Sequence, residues 1–342
     1  MAANNAEKIA VVGATGAVGR EILTALAERG VAAAQVVALA SGRSAGGEVS
    51  YGDDDDLLIQ SVDAFDFKGV QAALFAAGTE ASKKFVAVAA KAGAVVIDTS
   101  PAFRLEPGVP LVVPGVNIED LEGFAKKRIV AVPGPAGQAL LTVLAPLLDG
   151  FGVEQASATA LYSASTQGRE AMDELFAQTR GIYVNEPPSG SRAHYPKQIA
   201  FNVIPQVEGF ASHGATQEEE RLASEVIKAL DPELNLHANA ACVPGFVGIS
   251  GFLSVSLRRE GGVEAVRAAL RAAPGITVVD HRADGGYATP VECVGEDAVF
   301  VSRVRVDHSR QGGISLWWCA DNQRLVALNV VKILETLQEQ WL

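Results

Sequence analysis

The stretch Lys8-Ile9-Ala10-Val11-Val12-Gly13-Ala14-Thr15-Gly16-Ala17-Val18-Gly19-Arg20 decides the fold of the N-terminal part of the chain. A short apolar strand runs into three glycines and then into a helix. Glycine lets the main chain approach a pyrophosphate closely, and the helix start offers unpaired N–H groups at a positive dipole end. The spacing is G-x-x-G-x-x-G, a loose match to the common G-x-G-x-x-G fingerprint, but a first strand–helix turn is the right place for it. Ile22, Leu23 and Leu26 share one face of a helix expected over 17–29, with Gly30 as its stop. The favoured reading is a dinucleotide-binding turn, and its alternative is a strand–turn–helix that binds nothing.

Working outward, strands are expected at 35–39, 72–76 and 94–97, with a helix over 81–92. Helices between short β-rich runs imply a mostly parallel, doubly wound sheet. Asp53-Asp54-Asp55-Asp56 reads as a solvated turn, because a metal loop needs alternating ligands rather than four adjacent acids. Beyond about Ala156 the pattern changes to longer β-like segments at 156–163, 251–257 and 299–306, with helices expected at 217–230 and 263–272. A polar, proline-rich loop spans 185–192. This second region reads as an antiparallel or mixed sheet covered on one face. A long helix closes the chain over 323–342, with Leu325, Leu328, Val331 and Leu334 at helical spacing.

At 342 residues the chain is long enough for two domains. Hydrophobic residues make up 49%, yet no run approaches the ~18 apolar residues of a membrane span. A net charge of −12 argues against nucleic acid or an anionic membrane as the main partner, while leaving room for a phosphorylated small molecule held by local arginines. Cys242, Cys293 and Cys319 are odd in number and far apart in sequence, with neither a disulfide framework nor zinc spacing, so no metal is expected. Residues 1–7 lack the regions of a signal peptide. The expectation is a cytoplasmic α/β protein.

The second strand ends in Ala40-Ser41-Gly42-Arg43-Ser44-Ala45-Gly46, without the acid that usually holds a ribose 2′-hydroxyl. Arg43 with Ser41 and Ser44 would instead hold a 2′-phosphate through charge-assisted hydrogen bonds. The segment therefore favours NADP over NAD, against the plain alternative of a solvated loop arginine. The expected cofactor contacts are Gly13, Thr15, Gly16, Ala17, Val18, Gly19, Ser41, Arg43 and Ser44.

With the segments 13–19 and 41–46, the motif Val96-Ile97-Asp98-Thr99-Ser100-Pro101-Ala102-Phe103-Arg104 resembles successive motifs of the aspartate-semialdehyde dehydrogenase family. Further matches are Ile199-Ala200-Phe201-Asn202-Val203-Ile204-Pro205-Gln206, Gly214-Ala215-Thr216-Gln217-Glu218-Glu219-Glu220-Arg221, Phe300-Val301-Ser302-Arg303-Val304-Arg305 and Ala320-Asp321-Asn322-Gln323-Arg324. They cover nearly the whole chain in one order. The resemblance implies a Rossmann dinucleotide-binding domain over 1–132 with 322–342, and a central α+β substrate and dimerisation domain over 133–321. It also implies a homodimer, and the reductive dephosphorylation of an aspartyl phosphate with NADPH. That chemistry uses a cysteine thiolate, a histidine acid/base, and an arginine pair for the substrate's anionic groups.

The resemblance is to a homologue lacking the catalytic cysteine and histidine. In Val132-Pro133-Gly134-Pro135-Ala136-Gly137-Gln138, Pro135 takes the nucleophile's place ahead of a helix expected over 139–148. In the segment 241–251, Pro244 aligns with a substrate arginine and Gly251 with the histidine. Tyr162 or Ser163 stands at a family glutamine, and Gly115 at a glutamate. Arg104 matches a phosphate-binding arginine, Glu218 the acid that meets the substrate amino group, and Arg221 a basic partner, so a substrate or anion site is implied. The ordinary alternative for both arginines is a surface salt bridge. Cys319 reads as an inert core thiol, Cys293 as remote from the reaction centre, and Cys242 as the best substitute nucleophile, though without a helix start or basic partner beside it. His213 reads as a loop histidine near Glu218 and Arg221.

Three functions are compatible with this reading. The favoured one is a degenerate family member that keeps the fold, the dimer and NADP binding. The others are an oxidoreductase acting on an aldehyde or other carbonyl by a thiol-independent route, and the family reaction with a relocated nucleophile.

Overall fold

The computed structural model describes residues 8–185, 194–259 and 261–342; most of the proline-rich loop expected at 185–192 lies outside them. The chain divides into two compact units. One ends at Gly134 and resumes over Val326–Leu342, and the other is Pro135–Leu325.

The first unit contains β1 (Lys8–Val12), α1 (Ala17–Glu28), β2 (Val36–Ala40), β3 (Glu48–Tyr51), β4 (Asp55–Leu58), β5 (Gln60–Ser61), β6 (Val70–Phe75), α2 (Thr79–Lys91), β7 (Val95–Asp98) and β8 (Ile129–Ala131). Six strands form one parallel sheet in the order β5-β2-β1-β6-β7-β8. Except for the polar edge strand β5, these strands are near-continuous apolar runs, as expected where helices cover both faces of such a sheet. Chain order reverses across β1, with β2 on one side and β6 on the other. The crevice at the carboxyl ends of β1 and β6 is therefore the switch point where doubly wound sheets bind ligands. Helix α1 stops where Gly30 turns left-handed at φ 74° and donates to Ala27 O at 2.9 Å.

The acidic run differs from the expected turn. Asp53 and Asp54 lie in the turn, but Asp55 and Asp56 begin β4 and pair with Tyr51 and Ser50 of β3. All four remain exposed.

The second unit contains α3 (Pro135–Phe151), β9 (Val153–Tyr162), α4 (Arg169–Tyr183), α5 (Gln217–Leu230), β10 (Asn235–Cys242), β11 (Ile249–Leu257), α6 (Gly262–Ala272), β12 (Ile276–Val278), β13 (Val299–Val306), β14 (Gly313–Ala320) and the start of α7 (Asn322–Gln340). Its six-stranded mixed sheet runs β10-β9-β11-β14-β13-β12, parallel at its two ends and antiparallel between. Helices α3, α5 and α6 pack against it.

The break between the units falls inside α7, not ahead of it as the sequence implied. Its first turn is tied into the second unit. Asp321 Oδ1 accepts from the N–H groups of Gln323 and Arg324, Asp321 Oδ2 from Gly295 N, and Arg324 pairs with Asp297 at 2.8 Å. The helix beyond Val326 buries Ala327, Leu328, Val331 and Leu334 in the core of the first unit.

Candidate functional site

The glycine loop of the first unit is built by close backbone approaches. Gly13 has φ 90° and donates to Leu39 O at 2.8 Å, and a Cβ there would lie 2.5 Å from Ala76 O. A Cβ on Gly19 would run into the carbonyl oxygen of Gly13, so this glycine seats α1 against the strand end. Gly16 is the residue before α1. It carries no side-chain cap, and it and Ala17 are exposed. The helix start therefore has open N–H donors and no acid in its first turn. Thr15 and Val18 are half-buried beside it. These features fit a dinucleotide pyrophosphate. The turn after β2 leaves the sheet at the same edge, where Ser44 N donates to Ser41 O at 2.9 Å and Arg43 is exposed.

Arg104 is not the surface residue of the ordinary alternative. It is only 6% exposed and donates to Thr99 O at 2.6 Å. It follows Asp98, the buried last residue of β7, whose carboxylate accepts from Ser82 Oγ at 2.6 Å and Ser100 Oγ at 2.7 Å. Burial pushes the Asp98 pKa up against those hydrogen bonds.

In the second unit α3 begins at Pro135 itself, four residues earlier than expected. At the first helical position proline loses no hydrogen bond and has its φ preset. The first turn carries Pro135, Ala136, Gly137 and Gln138, with the last three buried. No atom in it is a nucleophile.

Gly251 is the third residue of β11, paired with Ala160 of β9 and Trp318 of β14. A Cβ there would collide with Thr159 O and sit 2.6 Å from the Trp318 ring. Gly251, the residue aligned with the histidine, therefore has no room for a side chain. Pro244, the residue aligned with a substrate arginine, lies between β10 and β11.

Glu218 and Arg221 come together at the start of α5, whose capping box joins Thr216 and Glu219. Tyr162 Oη donates to Glu218 Oε1 at 2.5 Å, and the other Glu218 oxygen accepts from Arg221. Arg221 also forms a fork with Glu208, at 3.0 and 2.7 Å, and its Nε lies 3.7 Å from Glu225. Burial opposes the Arg221 charge, but the hydrogen bond with Glu208 and the charges of Glu218 and Glu208 outweigh it and raise its pKa. Burial and Glu218 hold the Tyr162 phenol well above its usual range, so it stays a donor. Arg221 is thus a largely buried ion-pair centre, not a solvated surface bridge. Sequence reasoning missed Glu208, which sits ten residues before Glu218 in a left-handed conformation at φ 63°.

The thiols are all buried. Gln167 donates to Cys242 Sγ at 2.8 Å, and burial pushes that thiol up to about 11. Cys293 and Cys319, far apart in sequence, meet at 3.3 Å between sulfurs. That hydrogen bond and burial push the Cys293 thiol up. His213 is exposed, 3.0 Å from Glu220.

The description "Semialdehyde dehydrogenase, NAD binding domain" matches residues 8–124, and "Semialdehyde dehydrogenase, dimerisation domain" matches residues 144–325. Aspartate-semialdehyde dehydrogenase of Rickettsia bellii is 39% identical over 335 residues, 98% of each chain. That of Bacillus subtilis is 36% identical over 341 residues, 97% of each chain. Among solved structures, aspartate-semialdehyde dehydrogenase II from Vibrio cholerae matches with a TM-score of 0.93 and 36% identity, covering 98% of this chain and 99% of that one. On this shared sequence and fold, the chain belongs to the aspartate-semialdehyde dehydrogenase family.

Proposed function

We propose that the chain is a homodimeric, NADP-binding member of this family that does not perform the thioester-based oxidoreductase reaction. The observation that carries the reading is the first turn of α3, where Pro135 stands in the nucleophile's place and Ala136, Gly137 and Gln138 offer no substitute. The thiols support it, because all three are buried and burial holds Cys242 near 11, which makes it a poor nucleophile. Gly251 supports it too, since no acid/base group fits there. General acid–base help alone typically supplies ~10²–10⁴-fold, so losing it together with the nucleophile leaves little of this chemistry.

Binding is the part we retain. Gly13, Gly16 and Gly19 would seat the pyrophosphate against the start of α1, with Thr15, Ala17 and Val18 lining the approach and Ser41, Arg43 and Ser44 holding a 2′-phosphate. Bound NADP would supply hydride chemistry. Glu218 would meet a substrate amino group; the V. cholerae relative was solved complexed with ASA. Arg221 is already matched by Glu208 and Glu218, so this cluster suits an ammonium better than a phosphate. Within the first unit, the buried Arg104 is by itself a candidate anion contact.

Purified protein with NADP, phosphate and aspartate semialdehyde should show no rise in NADPH absorbance. Robust turnover abolished by Cys242→Ser would favour a relocated nucleophile. Robust turnover untouched by thiol alkylation would favour a thiol-independent carbonyl oxidoreductase.

A further inference from the structure

The motif Phe300-Val301-Ser302-Arg303-Val304-Arg305 has no part in the function proposed above. It lies in β13 and carries a β-bulge. Ser302 pairs with Trp317 and Arg305 with Ser315, so three steps on β13 match two on β14. Arg303 is left-handed there, at φ 59°. A non-glycine residue held in that region marks a conformation that the surroundings enforce.

The enforcing group is Asp280. Its Oδ1 accepts from Arg303 N at 2.7 Å, and its Oδ2 accepts from Val304 N at 3.3 Å and from Arg267 Nε at 2.6 Å. Arg267 is 6% exposed and also donates to Val304 O and pairs with Glu264. The bulge turns Val304 inward and leaves Arg303 and Arg305 both exposed. Arg305 folds back to donate to Arg303 O at 3.1 Å. Opposite, a tight loop closed by the Asp280–Tyr287 bridge presents Arg282.

These residues line one cleft of about 580 Å³ within the second unit. Four arginines line it against two aspartates, Asp280 and Asp284, and Asp280 is spent on the bulge and on Arg267. Arg282, Arg303 and Arg305 form no ion pair among the described residues. In a chain of net charge −12, such a concentration of unpaired guanidinium groups is a local reversal of the field.

We propose that this cleft is a binding site for a small ligand bearing a phosphate or diphosphate group. Planar guanidinium forks match phosphate oxygens bidentately, and the cleft volume lies in the range of small-molecule sites. Tyr287, 43% exposed, gives the rim an aromatic face on which the rest of a nucleotide would stack. The assignment is independent of the cofactor and catalytic readings above.

The test is calorimetric titration of inorganic pyrophosphate into the full protein held at saturating NADP, which removes the glycine loop from competition. Arg305→Gln and Arg282→Gln leave the bulge intact, and Arg303→Asn keeps a residue that tolerates the left-handed region. Each should weaken pyrophosphate by about tenfold or more, with unchanged thermal unfolding. Absence of binding to the unmutated protein, or a smaller loss in all three variants, overturns the site. Tighter binding of ADP than of pyrophosphate, lost in Tyr287→Ala, would assign a nucleotide; equal affinities would assign a simple phosphate compound.

Discussion

Two helix starts invite comparison, that of α1 in the first unit and that of α3 in the second. Each follows an apolar strand and a turn containing glycine. At α1 the last residue before the helix is Gly16, exposed and without a side-chain cap, so the first N–H groups face outward. At α3 the helix opens with Pro135, which has no N–H, and Ala136, Gly137 and Gln138 behind it are buried. The same strand–turn–helix unit yields an anion-receptive end in one case and a closed, chemically silent end in the other. Backbone donors suffice for binding, whereas covalent chemistry needs a side-chain atom that proline does not have.

The largest effect should come from putting a thiol at the silent end. A Pro135→Cys thiol at the start of α3 should be lowered toward neutrality by the helix, and so alkylate at about pH 7 roughly a thousandfold faster than Cys242. Peptide mapping of the labelled protein reads this directly. Equal labelling would show that the start of α3 does not activate a thiol even when one is supplied. Next, Gly19→Val at the open end drives a side chain into Gly13 O and should weaken NADP by about a hundredfold. Retained affinity would mean that the close strand–helix approach is not needed for binding. Arg43→Glu should shift the NADP-over-NAD preference by about tenfold or more toward NAD. Equal affinities for both cofactors in the unmutated protein would remove Arg43 from the cofactor site.

The smallest effect is on stability. The folded Cys242 thiol is raised to about 11 from an ordinary value of 9.0, so folding favours its neutral form. That stabilisation is complete below the unfolded value and is lost as pH rises from about 9 to about 11. The urea midpoint should therefore fall across this window, and Cys242→Ala should flatten the fall. An identical pH dependence in the variant would place the cause elsewhere.

Much of this was legible in the residues. Period and composition located β13 and α5 at their observed bounds, Val299–Val306 and Gln217–Leu230. They failed for α4, and for the β3–β4 hairpin, where acids sit on an exposed strand. The candidate site was legible as residue types at motif spacing, as with Glu218 and Arg221. The company those side chains keep was not. Nothing local marks Glu208 as the partner of Arg221, or Tyr162 as the donor to Glu218, 56 residues away.

The sequence by itself determined the glycine turn, the doubly wound unit that follows from it, and the absence of a nucleophilic atom at Pro135. These are properties of single residues and short periods, set by backbone freedom and side-chain chemistry. Only the tertiary structure decided that Gly251 has no room for a side chain and that Cys293 faces Cys319. It alone decided that Arg221 is neutralised while Arg282, Arg303 and Arg305, around one cleft, form no ion pair among the described residues. Those outcomes depend on which distant segments pack together, and burial and charge pairing act through space rather than along the chain.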